Sequence, residues 1–504
     1  MTKVIPAILI LANLTAAFAG QAAVREPLKV RVDSTGSCLI LSSVTAEREY
    51  ARAIVLLKEL HPDAATATFA PNDLNSAKKV LLKQRPRYVI LVLRPDELDV
   101  NFAWGWLTLC TELNDDPLVD VRTGIITGAS ARDAAAFVER ISAAVNGKNT
   151  LPARFVDNMG PNMQAGKKDF LQQAGSFMIP GLGGRLDLSV ISHGSEAFTE
   201  KHLDSMNGAG WVHFGGHGSP ERIDDGLRGT LVASLKLAPS VVFNGACYTG
   251  VTYRWYDQFN AGGKVAEKTV AAADCFCLNT LRTDAIAYLA ALHPDHGMPV
   301  YQEMEFLAYS GAPLGDVIKH TQDGVIIASG GRLPKFDRLA AGMDPPAWSP
   351  SETMLKGTAS RVLFGDPSVI AGEAFATPPF KVAVKADGDS LSVLATLTNA
   401  ALKSSFTDTY WNDLSGDKAP FNDRALIVAD LPADWKKVGR VDVIEVKAGG
   451  QALKSKLVGY AVEEADAARH TAGRVHVQVD VPATGFMQSA LRVAGATVEL
   501  KLSR

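Results

Sequence analysis

The sequence predicts an α/β protein: two α/β units with mostly parallel sheets, followed by a C-terminal β-sandwich. Three observations lead there. Between residues 30 and 150 short apolar runs alternate with amphipathic stretches, and the alternation resumes from Leu186 to about Pro367. The apolar runs are continuous, as in YVILVL at 88–93, which suits strands covered on both faces by helices. Beyond residue 378 the period changes to two, with Val475, Val477, Val479 and Val481 alternating with His476, Gln478 and Asp480, the pattern of a strand with one buried face.

Taken in order, the chain opens with Lys3, an apolar run from Val4 to Ala12, and small residues ending in Ala17-Phe18-Ala19. A basic start, a short apolar stretch and a small-x-small site read as a secretory signal. The run is shorter than the roughly 20 apolar residues that span a bilayer. Residues 1–23 are therefore expected to be removed on export. The first unit, 24–150, holds strands at 38–41, 88–93 and 121–126 and a helical stretch with Tyr50, Ile54 and Leu57 on one face. In it Ser130 caps a helix, with Asp133 at its third position and Phe137, Val138 and Ile141 inward. The stretch 151–185, rich in Gly, Asn, Gln and Pro, reads as a linker or substrate loop. The second unit, 151–372, continues with strands at 186–191, 211–214, 240–243 and 269–276 and a helix at 197–206. Two further helices span 301–325, broken at Gly311, with Pro313 opening the second. Residues 378–504 have the size of an immunoglobulin-like sandwich, with turns at Asp387-Gly388 and Gly449-Gly450 but no cysteine.

Composition narrows the function. With 51 basic and 54 acidic side chains the net charge is −3, which offers no basic patch for nucleic acid or a membrane surface. At 47% hydrophobic and 21% charged the chain is ordinary globular protein. Five cysteines, Cys38, Cys110, Cys247, Cys275 and Cys277, are too few for a disulfide scaffold, and an odd count leaves at least one thiol unpaired after export. Cys275 and Cys277, on one face of the expected strand, are poorly placed to bridge each other.

Chemistry concentrates in two segments, Trp211-Val-His-Phe-Gly-Gly-His-Gly218 and Ser240-Val-Val-Phe-Asn-Gly-Ala-Cys-Tyr-Thr-Gly250. Each is an apolar strand running into a glycine-rich turn that carries one reactive side chain. In a parallel sheet, side chains leaving the carboxyl ends of neighbouring strands converge on one crevice, so His217 and Cys247 are expected to face one another. A free thiol is only a few per cent thiolate near neutral pH, and an adjacent imidazole activates it and then protonates the leaving amine. The backbone N–H groups of Gly218 and Cys247 are candidate donors to an oxyanion. Taken singly, a cysteine after a strand is more often a small buried hydrophobe; two such turns on successive strands bring catalysis to even standing with that reading.

The motifs HFGGHGS (213–219) and VVFNGACYTG (241–250) resemble the His-Gly and Ala-Cys motifs of caspase-like cysteine peptidases, and within that clan the gingipain family. Asp120-Val-Arg-Thr-Gly124, with its arginine displaced, Pro313-Leu-Gly-Asp-Val317 and Leu363-Phe-Gly-Asp-Pro367 resemble further family segments, over roughly residues 36–370. The resemblance implies two α/β subdomains, the second catalytic, then an immunoglobulin-like domain. It implies an exported endopeptidase acting on proteins or peptides without a cofactor, His217 as base and acid, Cys247 as nucleophile, and Gly218 and Cys247 as oxyanion donors. The family often binds structural calcium, but no acidic loop here has the ligand spacing. An inactive binding or surface-assembly protein and a thiol acyltransferase or transpeptidase remain alternatives. The segment TVAAADCFCLNT is expected to wall the cleft. His213 is expected to pack inside rather than bind zinc, and His293 and His296 to face solvent. Asp274 is a candidate to orient His217, and Asp169 and Glu196 are acidic candidates for side-chain specificity.

Overall fold

The computed structural model describes residues 26–159, 186–192, 200–224, 226–295, 299–374, 377–398, 422–485, 488–489, 493 and 495–504. The expected signal segment, most of the 151–185 stretch, Asp169, Glu196 and His296 lie outside them. Ten strands form one sheet: β1 (Cys38–Ser43), β2 (Ala65–Phe69), β3 (Tyr88–Val92), β4 (Arg122–Ile126), β5 (Arg154–Met159), β6 (Asp187–Ser192), β7 (Trp211–Phe214), β8 (Ser240–Asn244), β9 (Ala285–Ala291) and β10 (Arg361–Gly365). Their spatial order is β2-β1-β3-β4-β10-β9-β8-β7-β5-β6. Neighbours are parallel everywhere except between β9 and β10. The sheet is thus two parallel five-stranded blocks that run in opposite directions and meet at one antiparallel seam. The chain does not divide cleanly between them, because β10, the last strand of the second unit, completes the first block.

Residue choice explains the strands. Every residue of β3, β8 and β9 is buried, as a sheet covered on both faces requires. β5 (RFVDNM) hides in the stretch read as a linker, because Asp157 and Asn158 break the apolar run; both are buried. The strand expected at 269–276 is not formed. Its first residue ends an antiparallel hairpin, Arg254–Asp257 with Ala266–Thr269, and Cys275 then caps the helix Phe276–Arg282, its sulfur accepting from Leu278 N at 3.4 Å. Cys275 and Cys277 therefore belong to a helix start, and all five cysteines are free thiols.

The first helical stretch is two helices, Val44–Glu49 and Ala51–Leu60, broken at Tyr50, whose buried hydroxyl donates to Gly128 O at 2.7 Å. Ser130 caps Ala131–Val145 as expected. The pair Pro299–Ser310 and Leu314–Ala328 breaks at Gly311, whose φ is +57°.

Two antiparallel sheets follow. One runs Phe380–Asp387, Ser390–Leu397, Thr497–Ser503, Arg440–Ala448 and Gln451–Ala452; the other centres on Arg474–Gly485 between Asn422–Asp430 and Lys456–Glu463. Val475, Val477, Val479, Val481, Val498, Leu500 and Leu502 fill one core between them. His476 and Gln478 are buried as well, because the other face of their strand turns toward the α/β part rather than to water.

Candidate active site

β7 and β8 are parallel neighbours in register, with Phe214 opposite Asn244. His217 follows Phe214 by three residues and Cys247 follows Asn244 by three, so the two turns leave the same end of the sheet at the same offset. The turns touch. A Cβ on Gly218 would lie 2.2 Å from Cys247 O and 2.7 Å from Cys247 N, so only glycine brings the backbone this close. His217 itself is exposed.

Each turn is pinned from beneath. Gly215 N donates to Asn158 O at 2.8 Å. Gly216 has φ +132°, and a Cβ there would meet the Asp224 carboxylate at 2.3 Å. Asp224 holds the histidine's own peptide, accepting from His217 N at 3.1 Å and donating from its own N to His217 O at 2.7 Å. In the second turn Gly245 N donates to Phe214 O at 2.9 Å, and Asn244 Oδ1 accepts from Ala246 N at 2.8 Å. Tyr288 Oη donates to Thr249 O at 2.9 Å. Tyr248, directly after the cysteine, adopts φ +60°, an uncommon conformation for a bulky side chain.

A third strand end completes the site. Beyond β9 the loop His293-Pro294-Asp295 returns to the thiol: Cys247 Sγ donates to Asp295 O at 3.0 Å and Asp295 N donates back to Sγ at 3.3 Å. Burial, and next the Asp295 charge, push the Cys247 thiol up to about 11, against the N–H groups of Asp295, Cys247 and Gly218, which favour the thiolate. Cys247 therefore rests as a neutral thiol that accepts from Asp295 N. Burial raises the other four thiols further, and of these only Cys38 shares partial exposure with Cys247.

His213 is buried, with Nδ1 2.7 Å from Asp157 Oδ1. His293 is buried too, against the rings of Trp104 and Trp348 at 5.1 and 5.4 Å; the polar HPDH sequence concealed an aromatic cage that Trp104, Trp348 and Tyr248 build from remote positions. Asp274 is exposed on the turn before the helix Phe276–Arg282. Sequence reasoning missed Asp295, whose peptide meets the thiol, and the buried ion cluster that its carboxylate forms with Arg361 and Glu303. The only local signal was a charged residue, Arg361, opening an otherwise apolar strand. A cleft of about 550 Å³ lies beside the His217 turn, between Ser219–Glu221 and a wall of Trp255 with Glu267–Thr269. Of the segment TVAAADCFCLNT only Thr269 lines it. Among the described residues no group of three or more His, Cys, Asp or Glu side chains is placed to hold a metal ion. No described helix is long and apolar enough to cross a membrane.

No family model and no curated protein matches the chain. Among solved structures it is similar to the complex of the pro- and mature domains of RgpB from Porphyromonas gingivalis, at 13% identity over 73% of this chain and 89% of that one, with a TM-score of 0.47. It is similar to the Arg-specific cysteine proteinase gingipain R (RgpB) at 14% identity, over 74% of this chain and 89% of that one, again with a TM-score of 0.47. A structure described as a protease is 12% identical over 90% of this chain and 92% of that one, with a TM-score of 0.44.

Proposed function

We propose that the chain is an exported cysteine endopeptidase, cleaving peptide bonds through a His217/Cys247 dyad and a thioester intermediate. The observation that carries the reading is the matched placement of the two turns, with Gly218 against the Cys247 backbone and the Asp295 peptide on the sulfur. His217 takes the thiol proton, Cys247 Sγ attacks the substrate carbonyl, and the N–H groups of Gly218 and Cys247 receive the oxyanion. His217 then protonates the leaving amine, and water, deprotonated by the same ring, hydrolyses the thioester. The high resting pKa of the thiol suits this sequence, in which the proton leaves during attack instead of resting on the imidazole beforehand. No cofactor is called for. The cleft beside Gly218 is the place for a substrate side chain, and residues 378–504 form an immunoglobulin-like sandwich behind the catalytic part.

Purified protein and a Cys247→Ala variant incubated with a mixed-sequence peptide library test this. Cuts made only by the wild type, and lost equally in His217→Ala, are expected. A library left intact by the wild type overturns the reading in favour of a binding role. Aminolysis of the acyl group by an added amine in preference to hydrolysis would reassign the same dyad to acyl transfer.

A further inference from the structure

Arg361 opens β10 at the seam and is wholly buried. Its guanidinium donates to both carboxylate oxygens of Glu303, each at 2.6 Å, to Asn244 O at 2.9 Å, and to the Asp295 carboxylate. Two of these partners frame the nucleophile. Asn244 ends β8, three residues before Cys247, and its side chain caps Ala246 N. Asp295 is the residue whose peptide brackets the sulfur from both sides.

The surrounding backbone shares the task. Leu292 N donates to Ser360 O at 3.2 Å, and a Cβ on Gly357 would lie 2.1 Å from Pro294 O. The helix Pro350–Ala359 and the start of β10 therefore rest on the loop that reaches Cys247. A buried ion cluster is a poor way to gain stability, since an apolar trio of similar volume often does as well. What an apolar trio lacks is a planar fork that fixes several acceptors at set distances.

We propose that Arg361 is a positioning residue for the nucleophile: it holds the end of β8 and the Asp295 peptide in the register that keeps the backbone donors on the Cys247 sulfur. The proposal rests on the peptidase reading of Cys247. Arg361 also balances the Asp295 charge, which otherwise opposes thiolate formation.

The test compares wild type, Arg361→Lys and Asp120→Asn. Asp120 sits in a separate buried ion pair, with Arg469, and controls for the general cost of disturbing one. Readouts are Tm, kcat and KM on a cleaved peptide, and the pH profile of Cys247 alkylation by iodoacetamide, followed by mass spectrometry. Lysine keeps the charge but not the fork. It is expected to lower kcat about ten- to hundred-fold at a KM within about two-fold, and to move the alkylation midpoint upward, while Asp120→Asn changes Tm alone. If Arg361→Lys fails to fold, Asp295→Asn serves. It conserves volume, weakens the same grip and removes the opposing charge, so kcat falls while the midpoint moves down. A lysine or asparagine variant with wild-type kcat and midpoint, altered only in Tm, overturns the proposal. The alkylation midpoint is read whether or not any peptide is cleaved, so failure of the peptidase reading and failure of the positioning role are separable.

Discussion

Gly218 is the position where one added methyl group would reach the proposed dyad directly. A Cβ placed there meets the backbone of Cys247 rather than a flexible side-chain end, so Gly218→Ala has to displace the Cys247 peptide and, with it, the two N–H groups proposed to receive the oxyanion. Removing one oxyanion donor costs roughly 100-fold or more in rate, and Gly218→Ala is expected to lose at least that in kcat/KM while still folding. Cleavage at the wild-type rate would show that the Gly218 N–H is not at the reacting carbonyl. The two glycine-rich turns that carry His217, Gly218 and Cys247 were legible because each ends an apolar strand, a purely local signal. Asp295, Glu303 and Arg361 were not legible. They are brought together across 66 and 58 residues of chain, and burial of a charge leaves no mark on its immediate neighbours.

At the scale of elements, three segments singled out by resemblance meet where the first block is closed. A Cβ on Gly124 in β4 would lie 2.3 Å from Gly365 O, and one on Gly315 would lie 2.6 Å from the Arg122 side chain and 2.7 Å from Pro367. These glycines let β4, β10 and the helix Leu314–Ala328 approach closely. Beside them His61 Nε2 lies 2.5 Å from Asp366 Oδ2. Burial alone would lower the His61 pKa, but the Asp366 charge and hydrogen bond leave it above its ordinary 6.5. Burial would raise Asp366, yet His61 and Ser368 leave it below its ordinary 3.8. A raised histidine stabilises the fold fully below pH 6.5 and loses that contribution as pH rises through the folded value; a depressed carboxylate loses its contribution as pH falls below its unfolded value. Tm is therefore expected to decline as pH rises from about 6.5 through the raised His61 value. His61→Gln should remove that decline and lower Tm at mildly acidic pH. An unchanged Tm profile in the variant would mean that the pair carries no proton linkage. The periodicities found six of the ten strands of the large sheet; β2, β5, β9 and β10 were not read as strands, and at 269–276 a hairpin end and a sulfur-capped helix replaced the expected one.

The whole molecule is joined by charges that the period-two pattern hid. Along Arg474–Gly485 the valines fill the sandwich core, and the opposite face of the strand turns toward the helix Leu314–Ala328. His476 lies 3.3 Å from Glu463, and Glu463 lies 3.1 Å from Lys319 on that helix. Nearby, Arg469 spans the junction, with Nη1 3.0 Å from Asp120 and 2.8 Å from Asp466, and all three side chains are buried. Gly459 has its Cα so near Ile327 O that a Cβ would lie 2.2 Å away, so the two parts are in backbone contact as well. Truncating one partner of a buried ion pair leaves the other charge uncompensated, at a cost of about 3–5 kcal/mol, more than the intact pair contributes. Arg469→Met is thus expected to lose about that much stability in urea denaturation, whereas Arg469→Met combined with Asp120→Asn should recover part of it, since the stranded charge in the α/β part is gone. The two changes are in contact, so their effects should be non-additive by more than about 0.5 kcal/mol. Additive effects would mean that Arg469 is held by Asp466 within its own sandwich and that the junction rests on packing. The expected non-additivity would instead make the sandwich a clamp on the residues leading into β4.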